Sequence, residues 1–283
     1  MKISYSKKEL YDTCGLKYKF KYIDKLQGNY ISSALLYGSA MDSALNFILE
    51  AMRDGNAFHH DQPKKIFLDK MKEWDGSVRL DYFNGDLPNR DEDLDPNDPQ
   101  SQQLVWQTLH DRGLASIDVY IKEVLPLIDK VISVQNAGSI KDNDDEFVYI
   151  VDFVAKLKDG RTVLFDNKTS SAKYPRNKVL KSEQLSLYLE SFPEIKYCGY
   201  IVLIKNPEKV AKQEAFQIIV DEIPEETRQM AFDKLENALH NIKAEIFEPN
   251  LKSCGLYGKQ CEYANLCKFN DPTGLVPVPE RKP

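Results

Sequence analysis

The order of residue patterns along the chain predicts an α/β fold: a mixed central sheet flanked by helices, with a helical lobe on its N-terminal side. Two observations carry this. Helical patterning dominates residues 1–128, and after Pro126 it gives way to short runs rich in β-branched and aromatic residues. Beyond that point the runs arrive as strand, strand, strand, helix, strand, the order of an α/β core wrapped by helices.

In chain order, Ser6-Lys-Lys-Glu9 reads as a capping box that opens a short helix reaching Cys14. A longer helix is expected from about 33 to 53, where Leu35, Leu45, Ile48, Leu49 and Met52 supply apolar content. Residues 54–100 read as irregular, apart from one helical piece (KKIFLDKMKEW). Their acidic, Pro- and Asn-rich tract 84–100 is expected to be a mobile surface loop. Helix resumes over about 101–124. VISVQ (131–135), FVYIVDFVAKL (147–157) and TVLFDNK (162–168) read as strands, followed by a helix over about 178–191. YCGYIVLI (197–204) and AFQIIVD (215–221) complete the strands, and EETRQMAFDKLENALHNIKAEIF forms a long amphipathic helix. The pattern fits one domain over 1–283: a mainly helical part (1–128), a core (129–222), and a C-terminal helix with a Cys-rich tail (223–283).

The net charge of −6 argues against a chain that coats nucleic acid with its whole surface, but basic residues are concentrated locally. Residues 1–25 hold seven Lys against three acids, and residues 156–181 hold eight Lys or Arg against Asp159 and Asp166. Such strips suit phosphate contacts, or they are solvated faces. Tyr18, Phe20 and Tyr22, interleaved with Lys, suit base stacking or core packing equally. No run approaches the ~20 apolar residues of a membrane span, and the N-terminus lacks the apolar stretch of a signal peptide. A cytoplasmic protein is expected. The odd count of five cysteines disfavours a disulfide framework, and three of them fall within the last thirty residues. Cys198, inside an apolar strand, reads as core.

Two aspartates interrupt apolar strands. Val148, Ile150, Asp152 and Val154 share one face of their strand, and Leu164, Asp166 and Lys168 share one face of the next. The connecting loop decides whether they meet. A three-residue loop Lys158-Asp159-Gly160 with Gly160 left-handed pairs Leu157 with Arg161 and sets Asp152 opposite Asp166. A two-residue loop splits the carboxylates between faces. Adjacent carboxylates suit a hard cation, Mg2+ or Mn2+, and a lysine beside them can orient water or offset charge on a phosphate. The alternative is a salt-bridged pair of half-exposed strands.

The set Asp152…Asp166-Asn167-Lys168 resembles the signature of the PD-(D/E)xK nuclease superfamily, in its RecB-like exonuclease branch. Thr169 follows the lysine as it often does there, and Gln184-Leu-Ser-Leu-Tyr188 matches a Q-x-x-x-Y helix. Upstream, Gly38-Ser-Ala-Met-Asp42 stands where the branch carries G-x-x-x-H, with aspartate in place of the metal-binding histidine. Tyr149-Ile-Val replaces the glycine that usually precedes the first catalytic aspartate, and Gln135 stands near a usual glutamate. Some members, AddB nuclease domains and CRISPR-adaptation nucleases among them, tie their chain ends with a 4Fe-4S cluster. Cys14, Cys254, Cys261 and Cys267 resemble that ligand set, although Cys254-x6-Cys261 is longer than usual; four thiolates hold Zn equally well by count.

The resemblance implies a restriction-endonuclease-like fold and metal-dependent hydrolysis of DNA, single-stranded or at ends. Asp152, Asp166, the Asn167 carbonyl and Asp42 would hold Mg2+ or Mn2+, Lys168 would act at the phosphate, and Gln184 and Tyr188 would steady the substrate. It implies work in replication, recombination, repair or adaptation, in a bacterial or phage-infected cytoplasm, alone or with a separate helicase or recombination protein. Two other readings are a catalytically silent DNA-binding scaffold of the same fold and a cluster-containing redox sensor.

Overall fold

The computed structural model describes residues 1–283 except 83–85, 88–93, 96, 143, 206–214, 256–258 and 280–283. The first elements are β1 (Lys2–Ser4), α1 (Tyr5–Thr13), α2 (Gly15–Tyr18), β2 (Leu26–Gly28) and β3 (Ile31–Ser32). The helices α3 (Ser33–Arg53), α4 (Asp61–Met71) and α5 (Pro99–Val119) follow, with β4 (Leu80–Asp81) between the last two. Then come β5 (Ile128–Asp142), β6 (Asp145–Leu157), β7 (Thr162–Ser170), α6 (Glu183–Leu189), β8 (Tyr197–Ile204) and β9 (Phe216–Asp221). The chain closes with α7 (Glu225–Lys243), α8 (Ala264–Phe269) and β10 (Leu275–Pro277). None of the described helices is long and apolar enough to cross a membrane.

Two compact units form. One joins Ile31–Gly138 to Ile150–Gln229. Its sheet is mixed: β6 and β7 run antiparallel, β7 and β8 parallel, β8 and β9 antiparallel, and β5 lies beside β6. Phe153 and Phe165 stack across β6 and β7, with centroids 5.1 Å apart. They are buried in one cluster with Tyr37 and Leu45 of α3, Phe67 of α4 and Val105 of α5, so this face of the sheet is covered by the helical lobe. The Asp98 carboxylate caps α5 by accepting from the Ser101 N–H at 2.8 Å, and Pro99 occupies the first turn, where its missing N–H costs nothing.

The other unit joins Met1–Tyr30, Ser139–Tyr149 and Met230–Pro283. Here β1 runs parallel to the start of β6, with Ile3 across from Phe147, and β10 pairs antiparallel with β2. The N-terminal ammonium and Lys243 both pair with Asp145, at 2.9 and 2.6 Å. Gly15 lets the chain at Phe247–Glu248 pass close by: a Cβ there would stand 3.0 Å from the Glu248 nitrogen.

Several local expectations need correction. The helix α1 starts at Tyr5, one residue before the expected cap, because Ser4 is drawn into β1; the Ser6 hydroxyl meets Ser4 Oγ at 3.1 Å instead. Lys8 is wholly buried and pairs with Asp12 at 2.7 Å, so it is not a phosphate contact. Tyr18 is buried against Tyr11 and Phe247, and Phe20 packs on Tyr263, which makes both of them packing residues. The acidic tract is not all surface. Much of it lies outside the described residues, but Asp86 and Leu87 are buried. Asp86 accepts from Ser33 Oγ at 2.7 Å and faces Lys205 at 3.4 Å, while Arg112 donates to the Asp86 and Leu87 carbonyls. A carboxylate taken out of water needs such partners, and these pull the tract inward. The helix expected over 178–191 is interrupted at Ser182, which caps α6 through the Leu185 N–H at 3.1 Å.

Candidate active site

The β6–β7 connection is the three-residue loop Lys158-Asp159-Gly160. Leu157 N–H donates to the Arg161 carbonyl at 2.8 Å, Gly160 N–H to the Leu157 carbonyl at 2.9 Å, and Gly160 sits at φ +92°. At this φ an L side chain would be strained, so glycine is what the turn requires. The register runs from Lys156 across Thr162 to Phe153 across Phe165. One further residue sets Asp152 across from Asp166, on the face opposite the two phenylalanines. The even-loop alternative is excluded by these hydrogen bonds.

Around the two carboxylates the partners are close. Asn167 N–H donates to Asp152 Oδ2 at 2.8 Å. Lys168 Nζ lies 2.5 Å from Asp166 Oδ2, and Gln184 Nε2 donates to Asp166 Oδ1 at 3.1 Å and to the Tyr188 hydroxyl at 2.9 Å. The Ser182 cap of α6 delivers Gln184 and Tyr188 to this point one helical turn apart; the same hydroxyl meets Tyr200 OH at 2.6 Å. Asp42, on α3, is exposed and within the field of Asp166 and Lys168. Nothing lies within 4 Å of where a Cβ on Gly38 would stand. Gln135, at φ +50°, donates to Asn46, one turn along α3 from Asp42.

Burial, followed by the Asp166 charge, pushes the Asp152 carboxyl up to about 8. Burial raises Asp166 too, against Lys168 and Gln184. Burial works against the Lys168 ammonium, but Asp166 outweighs it and holds the lysine protonated. These last two shifts oppose each other, because the lysine's rise needs an ionised Asp166. The 2.5 Å ion pair favours an ionised Asp166, which leaves Asp152 as the group that carries a proton. Asp42 is raised to about 6 by burial, with Lys168 opposing and Asp166 adding. Its open side weakens the burial contribution, so the charge of Asp166 is the firmer cause. Burial pushes the Tyr188 phenol up to about 12.

Four buried side-chain polar atoms among the described residues lack an aligned hydrogen bond, and three of them are here: Tyr120 OH, Asp166 Oδ2 and Asn167 Oδ1. Asp166 Oδ2 has its ion pair but no aligned hydrogen bond. Groups left in this state concentrate where a ligand or a reaction completes them. No three His, Cys, Asp or Glu side chains among the described residues are drawn together tightly enough to enclose a metal ion. The donor chemistry nevertheless fits one: three hard-oxygen carboxylates raise one another's pKa, and a divalent cation relieves that repulsion.

Tyr120 was not a sequence candidate. It is an aromatic in an apolar helical pattern, and nothing in that pattern marks it. It opens a π-helical turn, Tyr120–Val124, and is wholly buried. Burial and the Asp152 charge raise its phenol, and the Asn167 side chain opposes the rise, so hydroxyl and amide are near neighbours.

In the other unit, four cysteines gather. Cys14 ends α1, and its Sγ accepts from Asn250 N–H at 3.4 Å. Cys254 lies by the Asn250 carbonyl, Cys261 N–H donates to the Cys254 carbonyl at 2.8 Å, and Cys267 is exposed on α8. The Cys267 thiol is raised by its slight burial and by Cys254 and Cys14, and because it is exposed the neighbouring thiols are the firmer cause; Cys261 is raised by burial, with a contribution from Cys254. Cys267 is thus within the field of Cys254 and Cys14, and Cys261 within that of Cys254. Cys198 is buried in β8, as core.

The sequence model of the PD-(D/E)XK nuclease superfamily matches residues 2–268. Similar solved structures include a protein from Eubacterium rectale proposed to be an exonuclease. It is 13% identical with TM-score 0.46, over 99% of this chain and 89% of that one. Another is SSO0001, 11% identical with TM-score 0.34, over 86% and 87%. No curated protein matches the chain.

Proposed function

Because the chain belongs to the PD-(D/E)XK nuclease superfamily, we propose that it is a Mg2+- or Mn2+-dependent exonuclease of the RecB-like branch, acting on DNA ends or single strands. The observation that carries this reading is the odd β6–β7 loop, which sets Asp152 beside Asp166 with Lys168 paired to the latter. Asp42, Asp152, Asp166 and the Asn167 carbonyl are the groups that would hold the ion. When bound, it supplies an acidified water and polarises the scissile phosphate. Lys168, kept cationic by Asp166, would face the negative charge that develops on the phosphoryl oxygens. Gln184 fixes Asp166 in rotation and, with Tyr188, lines the approach of the substrate strand. The whole 1–283 stretch works as one nuclease domain in the cytoplasm, with a separate helicase or recombination protein as the source of ends.

We also infer that Cys14, Cys254, Cys261 and Cys267 form a metal centre, 4Fe-4S in preference to Zn, since they repeat the branch's arrangement of one early and three late cysteines. The fields of Cys254 and Cys14 on Cys267, and of Cys254 on Cys261, are the support for a cation among them.

The test is digestion of 5′- and 3′-end-labelled single- and double-stranded DNA with Mg2+ or Mn2+, wild type beside Asp152→Ala. Metal-dependent shortening by the wild type alone is expected. Equal activity in the two proteins removes Asp152 from the reaction, and inactivity of both leaves a DNA-binding scaffold.

A further inference from the structure

Beyond the carboxylate site, the segment after β7 is unusual in charge and in the way it is held. From 167 to 182 the chain carries Lys168, Lys173, Arg176, Lys178 and Lys181 and no acid. This stretch is not loose. The Gln217 side chain on β9 accepts from Tyr174 N–H at 2.8 Å and donates to the Tyr174 carbonyl at 3.1 Å, using both ends of its amide as a neighbouring strand would. The Tyr174 ring stands edge-on to Tyr200, with centroids 5.7 Å apart, and Lys178 Nζ lies 5.7 Å from the Tyr174 ring centre.

The register places this anchor relative to the reaction. Lys168 lies across from Val202 on β8, and Val202 across from Gln217 on β9. Neighbouring strands are ~4.8 Å apart, so Gln217 sits about 10 Å from Lys168 along one row of the sheet. That is roughly three nucleotides of rise at ~3.4 Å each. Beside the anchor lies a cavity of about 450 Å3, lined by Lys173, Arg176 and the strand from Gln217 to Asp221. Asp221 is an acid in this lining. It faces Arg161 as well, so part of its charge is already answered.

We propose that this cavity is a second phosphate subsite, which holds the backbone of a nucleic-acid strand about three nucleotides from the scissile bond. Lys173 and Arg176 are its cations, and Gln217 is a positioning residue that fixes the loop carrying them. The proposal rests on the nuclease reading for its ligand class.

Binding of a labelled single-stranded oligothymidylate of about 16 nucleotides, titrated with salt, tests it in an Asp166→Asn background that removes cleavage. Two phosphate contacts contribute about 1.4 to the slope of log K against log salt, at ~0.7 each. The paired variant Lys173→Ala/Arg176→Ala is expected to lower the slope by that amount and to weaken binding tens of fold at low salt. Gln217→Met, which leaves the charge unchanged, is expected to lower the slope in the same direction, an effect that loss of stability alone does not produce. An unchanged slope in the paired variant overturns the subsite, whether or not Gln217→Met folds. Cleavage of the same oligonucleotide by the wild type is measured in parallel. Cleavage with an unchanged slope sinks the subsite and keeps the nuclease; a lowered slope without cleavage does the reverse.

Discussion

The carboxylates of one unit and the thiols of the other are held in different ways. Asp152 and Asp166 are neighbours because β6 and β7 are paired, and their oxygens meet Asn167 N–H, Lys168 and Gln184. The four thiols stand on a helix end, a turn and a six-residue helix, and the hydrogen bonds of Cys14 and Cys254 run to backbone at 3.4 to 4.0 Å. Sheet register sets the first group before any ligand arrives. The second group is brought near by its chain segments, without a shared strand register.

The sharpest way to break this comparison is at Asp166. Asp166→Asn is expected to reduce DNA cleavage on the order of 10³-fold and to lower the melting temperature, because the Lys168 ammonium loses the carboxylate that answers its charge. Retained cleavage would mean that the register, though correct, does not serve the reaction. Next is Cys14→Ser. If a centre closes the thiols, the isolated wild type is coloured or zinc-bearing, and the variant loses the metal and melts roughly 10 °C lower, a loss of several kcal/mol at 2–4 °C each. A metal-free wild type with the same melting point as the variant makes these ordinary thiols.

Tyr120→Phe probes support behind the carboxylates. Outer-sphere partners of this kind are worth about 10- to 100-fold; a drop near the lower end is expected, in kcat and not in KM, with stability unchanged or improved by loss of an unpaired hydroxyl. A fall in KM-limited binding alone would assign Tyr120 to packing. A further test is in pH. With Asp152 near 8 when folded and about 3.9 when unfolded, the folded chain binds more protons between those values, so metal-free stability falls as pH rises from 4 to 8. The melting temperature is expected to fall across that range; Asp152→Asn should flatten the fall, and Mn2+ should cancel it. A melting curve indifferent to pH in the metal-free wild type would count against the raised carboxyl.

The hairpin was legible because two local facts suffice: alternation assigns the faces, and Asp159-Gly160 before Arg161 allows a glycine-led three-residue turn. Gln184 and Tyr188 were legible through their spacing, although the helix that carries them is shorter than its pattern, cut at Ser182 by a cap. Asp86 was misread because an acidic tract looks solvated until tertiary partners are known; Lys205 and Arg112 lie more than twenty residues away. Tyr120 and Gln217 left no trace in the pattern, since a buried hydroxyl and a loop-holding amide are defined by what they face. The cap at Ser6 failed because a strand pairing at Ser4 took precedence over a local helix signal.

The interleaving of the two units has a consequence for biosynthesis. All the strands around Asp152 and Asp166 lie before Gln229, so that sheet can assemble while the chain is still being translated. Residues 1–30 must wait for Met230 onward before β2 meets β10 and the Cys14 stretch reaches the one that carries Cys254, Cys261 and Cys267. During that interval residues 1–30 stand without their partners, exposed to chaperones and proteases, and a cation shared by all four thiols could enter only after Cys267 has been made.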